Sequence, residues 1–178
     1  MKKVSFIIAF IGVLLVSSLY TPQVNAQEKG SISQNTNQVE YYDANGKLIG
    51  TENYSDGNVT TQSTQFSVMA VKASRISSYD FGPSTFSNFV WVKGGKAFKN
   101  PGAMSVELAN RAKKFEVWMY SSNKKSYIGK GVVKNASGWV PFDWRPLRKK
   151  GSSYTFKLVN GSSGKIKVIG GTLEYNVN

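Results

Sequence analysis

The stretch GWVPFDWRPLRKKGSSYTF, residues 138–156, sets Trp139, Phe142, Trp144, Tyr154 and Phe156 among Arg145, Arg148, Lys149 and Lys150. Rings supply stacking surface and cations supply charge, which together suit a polymer bearing both flat units and anions. In an extended strand Val140, Phe142 and Trp144 share one side, with Trp139, Asp143 and Arg145 on the other. One aromatic set therefore goes to a core, as half-buried strands require. Pro141 and Pro146 cannot donate to a ladder, so the segment reads as an edge or short strand ending at Pro146. Packing accounts for the rings but not for the four cations, which crowd a connection closed by Gly151. They repel one another, and a turn needs none of them.

Other chemistry is excluded more firmly. The chain has no histidine and no cysteine. Triads built on either residue and the usual zinc sites are therefore impossible. No glycine-rich phosphate loop opens a helix. Carboxylates are the general acids and bases left, and from residue 74 onward there are five: Asp80, Glu107, Glu116, Asp143 and Glu174. The three glutamates fall on the polar side of alternating strands. Asp80 and Asp143 lie among aromatics and are the conceivable glycosidase pair, although Asp143 equally suits a turn or a partner for Arg145 or Arg148. Calcium needs several close oxygen ligands, which the turn sequences around Asp43 and Asp56 do not supply. The expectation is no enzyme, no metal and no cofactor.

Three more cations enter through SYTFKLVNGSSGKIKV, residues 153–168. If residues 154–159 and 165–168 form a hairpin across NGSSG, Leu158 pairs with Ile166 and Phe156 with Val168. The same register sets Lys157 against Lys167, with Lys165 diagonal. Like charges directly opposite destabilise a sheet, so these lysines serve either a ligand or protection of an edge. Trp91 and Trp139 are candidates for stacking on a sugar ring.

The elements that must position these residues are strands. Met104, Val106 and Leu108 alternate with Ser105 and Glu107; Phe115, Val117 and Met119 alternate with Glu116, Trp118 and Tyr120. The period is two, not 3.6. With FSNFVWV, SYIGKGVV, GWVPFDW, SYTFKLV and KIKV the count reaches seven or eight antiparallel strands. Glycine and asparagine punctuate them, as in a single β-sandwich or jelly-roll-like domain. A turn near residues 110–113 is the one helix candidate. Gly170-Gly171 reads as a bulge or bend.

The chain opens with Met1-Lys2-Lys3 and the apolar run Phe6 to Val16, too short to span a bilayer, then reaches the small-residue end Val24-Asn25-Ala26. This reads as a bacterial-style secretory signal peptide, residues 1–26, in a disulfide-free exported protein. Residues 27–73 are polar and form a flexible N-terminal extension or a pro-segment. In it Asn45-Gly46 predicts a type I′ hairpin turn. Residues 74–178 form the basic domain. Charge follows this division: residues 27–72 carry five acids against three bases, residues 73–178 five acids against eighteen bases. An excess of thirteen positive charges exceeds what solubility requires and costs stability by self-repulsion, which points to a polyanionic partner.

The run from Tyr127 to Tyr175, with YIGKG, a tryptophan-containing connection, GSSYTFKLVNGSSG and IKVIGGTLEY, resembles small secreted sandwich domains of Gram-positive bacteria. The resemblance implies architecture and export and carries no functional residue. The resulting expectation is a secreted binding protein on an anionic cell-surface polymer, whether teichoic acid, acidic glycan or anionic lipid. Contact is through Arg145, Arg148, Lys149, Lys150, Lys157, Lys165 and Lys167. A membrane-active toxin or antimicrobial protein is the alternative, and a carboxylate-dependent glycan hydrolase the third. Nucleic acid fits on charge alone, without a motif.

Overall fold

The computed structural model describes residues 36–55 and 76–178. These residues are all-β, with ten strands in antiparallel pairing. The strands are β1 (Thr36–Asp43), β2 (Leu48–Ser55), β3 (Ser77–Phe81), β4 (Ser84–Phe86), β5 (Phe89–Trp91), β6 (Phe98–Lys99), β7 (Ala103–Ser121), β8 (Tyr127–Asp143), β9 (Ser153–Asn160) and β10 (Ile166–Tyr175). The signal peptide and the turn at Asp56 lie outside the described residues. No helix among the described residues is long and apolar enough to cross a membrane.

The β7–β8 ribbon is the spine. Met104, Val106 and Leu108 are buried, and so are Phe115, Val117 and Met119. The inward positions thus change from even to odd along β7. In β8 they change from odd at Val133 to even at Val140 and Phe142. A pleated strand cannot switch faces without an extra residue. The ladder supplies it by slipping between Leu108 and Ala112, opposite residues 136–138. Asn135 and Gly138 sit there at positive φ. The turn expected at residues 110–113 is therefore a bulge inside a continuous strand, and four short predicted strands are two long ones.

Beyond the bulge each half of the ribbon takes different partners. Residues 115–121 of β7 pair with β9, which pairs in turn with β5 and β6. Residues 104–108 pair with β10, which pairs in turn with β3 and β4. The sheet folds over so that the two halves face each other. Phe115 meets Phe142 edge-on with ring centroids 6.1 Å apart, and Trp144 packs on Phe156 at 4.9 Å. Gly131 lies against the Phe142 ring, where a side chain would clash.

Three further expectations need correction. Residues 154–159 and 165–168 do not form a hairpin, because β9 and β10 lie in opposite halves and pair with different neighbours. Lys157 is therefore not opposite Lys167, whose partner in β4 is Thr85. Phe156, Leu158, Ile166 and Val168 are all buried, as they are when strands face rather than pair. Nor does the fold begin at residue 74. The hairpin β1–β2 is built into the sheet, with Val39 opposite Val133 of β8, and Val39 and Tyr41 are buried in the shared core. Its turn is not type I′: Gly46 alone has positive φ, and the Asp43 carboxylate accepts from the Asn45 and Lys47 amides. The bulge at Gly170-Gly171 is present, as a slip between Val168 and Gly170.

Gly171 gives a direct test of the packing. A Cβ there would strike the Phe81 ring and the Ser105 carbonyl, and the carbonyl is backbone that cannot swing away. Gly171→Ala should cost about 1–3 kcal/mol as an overpacking change. Urea denaturation checks this, and Gly46→Ala is not a substitute because φ strain acts there instead.

Candidate functional site

The outer face of the β1–β8–β7–β9–β5 half carries a side-chain row that follows from strand register. Tyr42 pairs with Lys130, Lys130 with Trp118, Trp118 with Lys157, and Lys157 with Trp91. Adjacent strands lie about 4.8 Å apart, so rings and cations alternate across five strands, with a ring recurring about every 10 Å. All five residues are partly exposed. The Lys130 ammonium lies 5.8 Å from the Tyr42 centroid and 5.6 Å from that of Trp118. That of Lys157 lies 4.4 Å from Phe89, 4.7 Å from Trp91, 4.9 Å from Tyr120 and 5.6 Å from Trp118. Lys124, from the β7–β8 turn, reaches Trp91 at 5.1 Å. Burial among these rings pulls the Lys157 amine below the usual lysine range.

The flanking rows set the polarity. On one side Tyr120 pairs with Tyr127, with centroids 5.5 Å apart. Burial raises the Tyr120 phenol, and pushes that of Tyr127 up to about 12, helped by the charge of Glu116. Both therefore stay protonated and able to donate at neutral pH. On the other side Glu40 and Glu116 flank Val132. Glu116 is 3% exposed although it faces outward. Lys114 lies 2.7 Å and Lys130 3.2 Å from its Oε1, and the Trp118 Nε1–H donates to its Oε2. Burial alone would raise its carboxyl, but these partners outweigh that and hold it below the carboxylate range. The Tyr42 hydroxyl and Lys134 hold Glu40 low in the same way. A 350 Å³ depression on this side is bounded by Glu40, Tyr42, Lys114, Lys130, Val132 and Lys134.

Because the Glu116 carboxyl is depressed on folding, its contribution to stability is present above the unfolded value of about 4.3 and is lost as pH falls through the folded value. The wild-type melting temperature should fall more steeply below about pH 4 than that of Glu116→Gln, which has no carboxyl to protonate. Parallel melting curves from pH 3 to 7 measure this, and equal slopes would remove Glu116 from the acid response.

The residues predicted from sequence do not form one site. Trp91 and Lys157 belong to the row. Arg145 is paired with Asp143 through Nε and Nη2 at 2.9 and 2.8 Å. Arg148 donates to the Val177 carbonyl at 2.7 Å, while Lys149 and Lys150 are exposed. Lys165, Lys167 and Trp139 lie on the other half of the sheet, where Trp139 stands opposite Glu107. Asp80 and Asp143 are on β3 and β8, three strands apart. Three strand spacings are about 14 Å along the sheet, more than the separation of a glycosidase pair. Asp80 accepts from the Thr172 hydroxyl instead. Sequence reasoning missed Tyr42, Trp118, Tyr120, Tyr127 and Lys130. The available signal was the outward phase of Trp118 and Tyr120 beside Glu116.

No cluster of three or more potential metal ligands occurs among the described residues. Compared with protein-family models, with curated proteins and with solved structures, the chain shows no match.

Proposed function

We propose that this protein is a non-catalytic binding protein for an acidic glycan, which lies across the strands on the Tyr42–Lys130–Trp118–Lys157–Trp91 row. The observation that carries the reading is the alternation of ring and cation in consecutive strands, which suits a polymer alternating sugar faces with anionic groups. Hydroxyls of the same polymer can donate to Glu40 and accept from Tyr120 and Tyr127. Ionised carboxylates on this face disfavour the phosphates of nucleic acid and of lipid headgroups, which offer few donors in return. Their low pKa also supports a binding role, since glycoside cleavage needs a carboxyl held protonated. The exposed large apolar side chains are dispersed among β2 (Leu48, Ile49), the residue before β3 (Ile76), β5 (Phe89) and the opposite half (Trp139, Ile169). Among the described residues they make no continuous surface for membrane insertion. An exported protein at the bacterial surface is the setting that the N-terminal sequence and the charge support.

The test is retention of the full chain on an immobilised acidic polysaccharide and on its uncharged counterpart, over a salt series. Affinity for the acidic form should fall as a power of salt concentration, as counterion release requires. A weaker, salt-insensitive retention by stacking should remain on the neutral form. Equal retention on both, or a preference for single-stranded DNA or anionic vesicles, contradicts the reading.

A further inference from the structure

Beyond the ends of β7 and β9 the structure holds a second concavity. It measures about 700 Å³ and is bounded by Ser121 and Ser122 on one side and by Ser152, Ser153 and Tyr154 on the other, with Ile128 and Leu147 below and Arg148 and Lys149 at the rim. The connection from Trp144 to Ser152 contributes Leu147, Arg148, Lys149 and Ser152 to it, and is pinned along its length. The Leu147 and Arg148 amides donate to the Trp144 carbonyl, and the Lys149 amide donates to the Tyr154 hydroxyl at 2.6 Å. The Gly151 amide donates to Oδ1 of Asn100, while the Asn100 amide donates to the Ser152 carbonyl at 2.9 Å. Asn100 is itself buried, and its backbone is held at φ 44°. The bond from Nη1 to Val177 fixes the Arg148 side chain.

This construction holds mutually repelling cations in a fixed turn around a hollow, which a connection serving only the chain path does not need. The hydroxyls of Ser122, Ser152 and Ser153 have no partner among the described residues. Each can both donate and accept. Arg148 retains guanidinium N–H groups beyond the one given to Val177, and the Lys149 side chain has no carboxylate partner among the described residues.

We infer that this cleft is a second binding site, for a phosphorylated polyol. The phosphate sits at Arg148 and Lys149, the polyol hydroxyls exchange hydrogen bonds with Ser122, Ser152 and Ser153, and the carbon chain lies on Ile128 and Leu147. An anion alone would leave the serines unused, and a neutral polyol would leave the cations unused. None of the five row residues lines it, and it does not depend on the glycan reading.

The experiment is an NMR titration of the full chain with glycerol 3-phosphate, with inorganic phosphate and glycerol as separate probes. Glycerol 3-phosphate should bind in the millimolar range or tighter and shift the amides of Ser121, Ser122, Lys149, Ser152 and Ser153. Lys149→Gln should weaken it about fivefold, as loss of one exposed charge contact does. The Ser152→Ala/Ser153→Ala double variant should weaken it about tenfold while leaving inorganic phosphate unchanged. Trp118→Ala should leave all of this intact, which separates the site from the row. Binding transferred to poly(glycerol phosphate) identifies a polymer as the source, and binding transferred to phosphatidylglycerol vesicles identifies a headgroup; both keep the site. Equal binding of inorganic phosphate and glycerol 3-phosphate, or shifts confined to the row, would overturn the inference. The wild-type shift map decides this even where a variant does not fold.

Discussion

Trp118→Ala should weaken binding to the acidic glycan by about 2 kcal/mol, roughly thirty-fold in Kd, as expected for a central aromatic anchor. Trp118 is the middle ring of the row, with Lys130 on one side and Lys157 on the other. Its removal takes away stacking surface and lets both ammoniums drift from their positions. Its indole also donates to Glu116, so some stability goes with it. Trp118→Phe separates the two effects. It keeps a ring under both cations and lacks the indole N–H, so it should bind within a few-fold of the parent. Calorimetric titration with each variant's fold verified by circular dichroism measures this. Equal, thirty-fold losses in both variants would assign the effect to the Glu116 hydrogen bond rather than to stacking.

The second large effect concerns stability. Tyr41→Ala should destabilise the protein by about 3–5 kcal/mol, the usual cost of truncating a buried aromatic. Tyr41 is 4% exposed, its ring meets Trp144 edge-on at 6.4 Å, and its hydroxyl accepts from the Asp143 amide at 2.6 Å while donating to Glu52. The truncation leaves both a cavity and an unpaired amide. Tyr41→Phe keeps the packing and should cost only about 1–2 kcal/mol for the orphaned amide. Urea midpoints give the comparison. A loss below about 0.5 kcal/mol in Tyr41→Ala, the size of an ordinary surface change, would mean that the β1–β2 hairpin is an appendage and not part of the core.

That hairpin shows where sequence reading stops. The alternation in 103–108 and in 115–119 was enough to identify strands and an all-β domain. It could not show whether a change of phase marks the end of one strand or a bulge within it, because both look identical as a lost alternation. Nor does alternation tell strands that pair from strands that face: Phe156 and Val168 would be inward in either case. The hairpin at residues 36–55 was visible as a hairpin, but its polar composition hid its docking, since among its described side chains only Val39, Tyr41 and Tyr54 are buried. The candidate residues are scattered over the fold for a related reason. Residues 138–156 looked rich because rings and cations were close in sequence, yet there Phe142 and Trp144 are core and Arg145 is neutralised by Asp143. The row that does combine rings with cations draws one residue from each of five strands, and only pairing register brings them together. Trp91 and Lys157 were recognisable singly, by type and outward phase, but not as neighbours.

The four tryptophans permit one direct measurement, because each indole N–H gives its own NMR signal. Trp91 and Trp118 lie in the row, Trp139 on the opposite half of the sheet, and Trp144 in the core. During titration of the full chain with an acidic polysaccharide, the Trp91 and Trp118 indole signals should shift in saturable fashion while those of Trp139 and Trp144 stay in place. Movement of Trp139 with Trp91 and Trp118 unmoved, or no movement of any indole at concentrations where the polysaccharide is bound, would contradict the account.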